Sequence, residues 1–376
     1  MKNTILAFCC ILLQQPLFAE NKDWLIDGSP YKTEANLSSD KKQIELTNGL
    51  LRRTFSLTPN GATIALDNLM TGQSELRAVR PEAVLVINGK EYPVGGLEGQ
   101  PVHNFLTKDC LSGMQLCDSA FVLADYTVGE TKERFPWKPN DAWISNTYPW
   151  PAPGKRITFT YKAPRKITDE CKGLTVRIVY ELYDGAPILS KWIEIDNKGQ
   201  KAVTLDSFKS EVLALVETAP KVHYGEPHEV RMMAQEPGYY TEDYRKKPVQ
   251  TDAPRDYIDR FTQLFVVTDY AMGGDMEAMK DNPAVRWVFD HPEYEFTGIR
   301  YYGQYKPARL EVTPLLGPAE EIAPGESFTS CRAFEMLRDA TDQERRGLAE
   351  CKFWRMMAPW KGFTVAALTE MFISCR

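Results

Sequence analysis

The sequence predicts an all-β fold, a large antiparallel β-sandwich that ends in a short C-terminal helix. Three observations lead to this prediction. Apolar and polar residues alternate with a period of two in many short runs, as they do in half-buried strands. Gly, Pro, Asn and Asp bound these runs and favour turns between them. Helical periodicity is nearly absent before Asp339, and this argues against a βαβ fold.

The clearest strand pair covers Leu174 to Tyr183 and Ile188 to Asp196. In the first run Val176 and Ile178 fall on one face, whereas Arg177 falls on the other. The intervening Asp-Gly-Ala-Pro supplies turn chemistry, so the two runs are predicted to be long antiparallel neighbours. Further strands are predicted at Leu50 to Leu57, Ala83 to Ile87, Val203 to Phe208, Glu211 to Val216, Phe261 to Thr268, Ala284 to Asp290, Leu310 to Thr313 and Ser327 to Phe334.

The single clear helical pattern lies near the C-terminus. Thr341 or Asp342 is predicted to cap it, and Pro359 stops it shortly after Met357. Tight turns are predicted at Asn48-Gly49, Asn60-Gly61 and Asn88-Gly89, the first and third as hairpin turns.

The N-terminus has the pattern of a secretory signal peptide over residues 1–19. Lys2 supplies the positive start, Ile5 to Leu13 the apolar run, and cleavage is predicted near Ala19. The run is too short to span a bilayer, and no later stretch predicts a membrane span. We therefore expect an exported protein, periplasmic or extracellular.

Composition excludes some classes of function. Apolar residues make up 43% of the chain, enough for a large core, and the net charge of −6 argues against nucleic acid as a partner. The spacing of the cysteines gives no C-x-x-C pair, so neither a metal nor a redox site is predicted. Cys110 and Cys117 could close a short disulfide loop, although free cysteines are the preferred interpretation.

A tryptophan-rich segment from Phe135 to Pro153 is the best candidate binding site. Exposed aromatic rings pack on the flat C–H faces of sugars, while carboxylates and amides take the hydroxyl groups. The alternative is that these rings plug one end of the sandwich or dock on a neighbouring domain. The candidate carbohydrate-binding residues are Trp137, Asp141, Trp143, Asn146 and Trp150.

A histidine-containing segment offers an enzymatic alternative. His223 and His228 flank Glu226, and one histidine with this glutamate could serve as acid and base in opening a sugar ring. The simpler interpretation is a polar loop. No phosphate-binding glycine loop and no G-x-S-x-G serine motif occurs, so the sequence predicts no cofactor and no catalytic residue beyond this alternative.

The chain also resembles a known family. The segment Gly173 to Asn197 is similar to the β-supersandwich region of family 36-like glycoside hydrolases, the α-galactosidase group. Asn48 to Phe55 with the following turn resembles another part of that region, and Phe353 to Trp360 resembles the segment that leads from the sandwich into a (β/α)8 barrel. The likeness covers Ile44 to Trp360. The resemblance implies a galactose-mutarotase-like β-supersandwich and a galactose-containing glycan as partner.

The resemblance also implies a domain organisation and three hypotheses of function. Residues 20–338 would form the supersandwich, 339–360 a linker helix toward a missing catalytic (β/α)8 barrel, and 361–376 an aberrant tail. The family's catalytic carboxylates lie on that barrel, so we expect a non-catalytic module from a truncated or frame-shifted gene, with a naturally short protein as the alternative. Competing hypotheses are an aldose-1-epimerase-like enzyme and an oligomerisation or docking module, and a homo-oligomer is left open.

Overall fold

The computed structural model describes residues 22–101, 106–136, 148–164, 171–218, 230–231, 264–269, 284–290, 307–314, 317–340 and 342–357. The predicted signal peptide, Trp137 to Asn146, the segment around His223 and the tail beyond Met357 lie outside these residues. Within them the chain forms β-strands and two helices, and all the strand pairs are antiparallel. The all-β prediction is confirmed.

The strands are numbered in chain order. They are β1 (Glu34–Leu37), β2 (Gln43–Thr47), β3 (Leu51–Ser56), β4 (Ala62–Asn68), β5 (Gln73–Ser74), β6 (Leu76–Ala78), β7 (Ala83–Ile87), β8 (Lys90–Val94), β9 (Val122–Glu130), β10 (Gly154–Lys162), β11 (Leu174–Tyr183), β12 (Ile188–Asn197), β13 (Val203–Lys209), β14 (Glu211–Thr218), β15 (Val230–Arg231), β16 (Leu264–Thr268), β17 (Val285–Phe289), β18 (Pro307–Val312), β19 (Pro318–Ile322), β20 (Ser327–Thr329) and β21 (Ala333–Leu337). The helices are α1 (Lys108–Gly113) and α2 (Gln343–Met357).

Four sheets build the sandwich. The largest has seven strands in the order β16-β21-β12-β11-β10-β9, with β20 also pairing with β12. A five-stranded sheet runs β1-β2-β3-β4-β5, a second runs β15-β17-β18-β14-β6, and a four-stranded sheet runs β19-β13-β7-β8. Sequence neighbours pair often, as in a sandwich built from hairpins.

The predicted strand pair forms the centre of the seven-stranded sheet. Ile178 of β11 lies opposite Ile193 of β12, and both are fully buried in the main core. That core also takes side chains from the other three sheets, including Phe55, Leu85 and Leu310. We call this side of the seven-stranded sheet its inner face, and the opposite side, which carries the alternate residues of each strand, its outer face.

Helix α2 covers one end of the outer face. Phe353 contacts Phe265 and Phe334, with ring centroids 5.4 and 6.0 Å apart, in a second apolar cluster. The predicted cap is confirmed, because the Asp342 carboxylate accepts a hydrogen bond from the Arg345 amide at 2.8 Å. The short helix α1 was missed, because its six residues bury no side chain and show no apolar periodicity.

The predicted strand from Ser327 to Phe334 is two strands. Between β20 and β21, the Ser330 hydroxyl accepts a hydrogen bond from the Ile193 amide, and the Ser330 amide donates to the Ile193 carbonyl. After this interruption the Arg332 amide donates to the side chain of Asp269. The backbone amides of Ile193 and Arg332 thus bond to side chains instead of to a paired strand. Alternation of apolar and polar residues does not predict such an interruption.

Two predicted turns have clear physical reasons. Asn88 and Gly89 both have positive φ, +49° and +74°, as a two-residue hairpin turn between β7 and β8 requires. Asparagine tolerates this left-handed conformation better than most residues, and glycine adopts it without strain. At Gly61 the reason for glycine is a close contact, because a Cβ there would lie 2.4 Å from the Tyr161 hydroxyl oxygen.

Two further features bear on the predictions. Neither described helix is long and apolar enough to cross a membrane. Among the described residues, Cys110, Cys117, Cys331 and Cys351 form no disulfide.

Candidate functional site

The tryptophan-rich segment connects β9 to β10. These strands pair directly, with Lys155 opposite Glu130, so the described ends of the segment lie beside each other at one edge of the seven-stranded sheet. Of the five predicted sugar-binding residues, Trp150 is described and half-buried, whereas Trp137, Asp141, Trp143 and Asn146 lie outside the described residues.

Trp150 forms an aromatic platform with Phe135, the first residue of the segment. Their ring centroids are 5.3 Å apart, and the Trp150 indole N–H donates to the Phe135 carbonyl at 3.3 Å. Phe135 is 44% exposed, so part of its ring faces solvent. The two ends of the tryptophan-rich segment are therefore in direct contact and present aromatic surface to solvent.

Arg134 fixes this platform to the rest of the protein. Its guanidinium lies within 5.1 to 5.9 Å of the ring centroids of Phe135, Trp150 and Phe334, which is cation–π geometry. It also donates to Asp269 at 2.6 Å and to the Met357 carbonyl at 3.0 Å. The Arg134 side chain thus connects the platform to Asp269, which follows β16, to Phe334 on β21 and to the last residue of α2.

Next to the platform, two arginines cover a tryptophan on the outer face. The guanidiniums of Arg332 and Arg156 lie 3.9 and 5.1 Å from the ring centroid of Trp192 on β12, and Trp192 is only 2% exposed. Glu181 on β11 accepts two hydrogen bonds from Arg156, at 2.8 and 2.6 Å, and a longer one from Arg332. Strand register produces this arrangement, because Arg156 lies directly opposite Glu181.

The polar surface continues along the outer face beyond Trp192. The Trp192 indole N–H donates to Glu194 at 3.0 Å, and Arg177 binds both Glu194 and Asp196. We call the set Arg156, Arg177, Glu181, Trp192, Glu194, Asp196 and Arg332 the polar stripe. Its acidic members are held by arginines, so the stripe is a rigid surface of ionic and aromatic groups.

Two carboxylates nearest the platform are already occupied. One oxygen of Glu181 accepts hydrogen bonds from the Arg156 guanidinium and the Lys132 backbone amide. The other accepts from the Tyr183 hydroxyl and the Arg332 guanidinium. Asp269 binds the Arg134 side chain and the Arg332 amide. A carboxylate fixed in this way is a poor proton donor or acceptor toward a substrate, whereas the exposed rings beside it can stack on a ligand.

The sequence did not single out the arginines of this surface. The alternation that placed Arg177 on the opposite face to Val176 is confirmed, and the same rule applied to β12 would have put Trp192 on that outer face. Arg332 and Arg134 lie outside regular strands, where alternation gives no signal. The epimerase candidates His223, Glu226 and His228 lie outside the described residues, so that hypothesis stays a prediction.

A second polar assembly is buried in the main core. The Arg53 guanidinium binds Glu211 at 2.9 Å and Glu335 at 3.3 Å, and the Lys191 ammonium binds Glu211 at 2.7 Å. Glu82 accepts a hydrogen bond from the Tyr180 hydroxyl. These residues are at most 2% exposed. We call Arg53, Glu82, Tyr180, Lys191, Glu211 and Glu335 the buried ionic cluster.

Protonation lowers the negative charge of this cluster. Burial opposes ionisation of Glu211, but the Arg53 and Lys191 charges lower its pKa well below the ordinary value. Burial and the Glu211 charge raise the pKa of Glu335 well above its ordinary value, so Glu335 holds its proton. The Arg53 and Lys191 cations therefore face the Glu211 carboxylate beside a neutral Glu335, which limits the uncompensated charge in the core.

Glu75, between β5 and β6, is a buried carboxyl without such compensation. It is 2% exposed, and its Oε1 has no hydrogen-bond partner in the part of the chain that the structure describes. Burial, and to a smaller extent the Asp67 charge, raise the pKa of Glu75 to about 7. Asp67 itself is bound by Arg52 at 2.9 Å. Glu75 therefore changes charge near neutral pH, whereas its neighbour is held by an arginine.

The described residues hold no group of three or more His, Cys, Asp or Glu side chains that could bind a metal ion. No family model matches the chain, and no curated protein matches it.

Solved structures do match. An α-galactosidase from Lactobacillus brevis is 10% identical, with a TM-score of 0.43, over 85% of this chain and 42% of that chain. A GH36 α-galactosidase from Geobacillus stearothermophilus is 10% identical, with a TM-score of 0.37, over 81% and 41%. A galactose mutarotase related enzyme from Lactobacillus acidophilus is 13% identical, with a TM-score of 0.36, over 80% and 98%.

These proteins are of the two kinds that the sequence resemblance named. This chain spans about two fifths of the length of those α-galactosidases and most of the length of the mutarotase-related enzyme. The chain is similar to GH36 α-galactosidases over part of their length and to a galactose mutarotase related enzyme over nearly the whole of it.

Proposed function

We propose that this chain is an exported, carbohydrate-associated β-sandwich, a non-catalytic module of α-galactosidase-like type, that binds sugar at the aromatic platform. The observation that carries the proposal is the contacting ring pair of Phe135, which is 44% exposed, and the half-buried Trp150, held in place by Arg134. Rigid aromatic rings beside fixed polar groups are the common form of a sugar-binding surface.

Three observations support a binding role. The platform joins the two ends of the tryptophan-rich segment, and the residue types of that segment predict sugar binding. The nearby carboxylates Glu181 and Asp269 are held by arginines and are not free for acid–base chemistry. The signal-peptide pattern of residues 1–19 supports export, where polymeric glycans are found.

A glycan-binding screen of the secreted protein, followed by calorimetry, tests the proposal. Phe135→Ala should weaken binding about fivefold to tenfold, because one ring contact contributes about 1 kcal/mol. The matched control is Leu37→Ala, since Leu37 is similarly exposed, at 43%, but lies on another sheet. Equal affinity of Phe135→Ala and the wild type would contradict the proposal.

Activity is measured on the same material. Hydrolysis of an α-galactoside at enzyme-like rates would overturn the non-catalytic assignment. Mutarotation of galactose that is lost in His228→Ala would overturn it in favour of the epimerase hypothesis. Binding without either activity is the expected result.

A further inference from the structure

The outer face carries unequal charge along its length. Around the platform and Trp192, the guanidiniums of Arg134, Arg156 and Arg332 face the carboxylates of Glu181 and Asp269, an excess of one positive charge. At the far end of the polar stripe, Arg177 faces Glu194 and Asp196, an excess of one negative charge. The positive end is the one beside the platform, although the whole chain has a net charge of −6.

Arg332 is the least satisfied of these arginines. Its side-chain contacts are a 3.4 Å hydrogen bond from Nη1 to Glu181 and the stack on Trp192. Among the described residues its Nε and Nη2 have no acceptor, and both reach solvent, since neither is among the fully buried donors that lack a partner. Burial, with a contribution from the Arg134 charge, lowers the pKa of Arg332 from its ordinary value.

Arg156 adds a second donor in the same place. Its Nε and Nη2 bind Glu181, and its Nη1 has no acceptor among the described residues. Both guanidiniums contact one indole ring, which limits their movement. A planar guanidinium held flat on an aromatic ring is suited to bidentate recognition of a carboxylate.

Resting on the proposed function, we infer that the sugar bound here is acidic, a uronic acid whose carboxylate is held by Arg332 and Arg156 while a ring of the chain stacks on Phe135 and Trp150. Such a ligand neutralises the excess positive charge and supplies acceptors for Nε and Nη2 of Arg332. A neutral galactoside would leave these donors to water, and would gain the stacking contact alone.

Oligogalacturonate and a neutral galacto-oligosaccharide of the same length distinguish these cases. By calorimetry at low ionic strength, the wild type should bind the acidic ligand about tenfold or more tightly than the neutral one, since hydrogen bonds to charged groups are strong. Added salt should reduce this preference. Arg332→Gln should abolish it, and Arg332→Lys should retain only part of it because a lysine cannot form the planar fork.

Arg177→Gln is the matched control, because Arg177 lies on the same face but is fully engaged by Glu194 and Asp196. It should leave the preference unchanged, and thermal unfolding shows whether each variant is folded. Equal affinity for both ligands would overturn the inference while the proposed function stands. Failure to bind either ligand would overturn both. If Arg332→Gln unfolds, the Arg332→Lys preference decides the outcome, and an undiminished preference in that variant refutes the role of Arg332.

Discussion

Replacement of Glu75 by glutamine should remove a large part of the pH dependence of stability. The carboxyl has its ordinary pKa of 4.5 in the unfolded chain, but in the folded protein burial raises the pKa to about 7. Between these two values the folded state holds a proton that the unfolded state has lost, so stability falls as the pH rises. Each pH unit removes about 1.4 kcal/mol, and the loss is complete, at about 3 kcal/mol, once the pH is above 7.

Urea unfolding at pH 5 and at pH 8 measures this effect. The wild type should lose about 3 kcal/mol more than Glu75→Gln over this interval, whatever constant cost the buried amide adds to the variant. Glu91→Gln, which alters an exposed carboxyl on β8, is the control and should follow the wild type. Parallel pH profiles for the wild type and Glu75→Gln would refute the assignment of a buried, uncompensated carboxyl.

Three further substitutions test other parts of the structure. Arg53→Met should destabilise the protein by about 3–5 kcal/mol in urea unfolding, because it leaves buried carboxylates without their main partner; a loss below about 1 kcal/mol would contradict the cluster. Gly89→Ala places a Cβ at φ +74° and should cost about 1 kcal/mol in the same assay, whereas an unchanged midpoint would argue against the hairpin turn. Asp342→Ala should cost about 1 kcal/mol by removing the cap of α2, and Asp342→Asn should restore most of it in thermal unfolding.

Much of the architecture could be predicted because strand periodicity is a local signal. The runs Ala83 to Ile87 and Leu174 to Tyr183 match β7 and β11 at both ends, and the cap at Asp342 follows from residue type alone. The pairing of β12 with β21 could not be predicted in this way, since it joins positions more than 140 residues apart. Such pairings depend on tertiary packing, and the alternation of apolar and polar residues along one strand does not indicate its distant partner.

The candidate site was predicted in part. Trp150 was named for its ring, and the structure shows it in contact with Phe135. The contribution of Arg332 was not foreseen, because its contact with Trp192 arises where two distant strands meet. Lys191 carried a usable signal, since alternation places it on the same face as the buried Ile193. A charged residue at such a position indicates a buried ion pair rather than a solvent-exposed strand.

The buried ionic cluster draws members from three of the four sheets and from the residue that directly precedes a strand of the fourth. Arg53 comes from β3, Glu211 from β14, Lys191 and Glu335 from β12 and β21, and Glu82 directly precedes β7. A fragment that omits any of these sheets leaves an unmatched charge inside an apolar interior. Fragments of the chain that end between positions 53 and 335 should therefore be insoluble, and two complementary fragments should recover structure only when they are produced together.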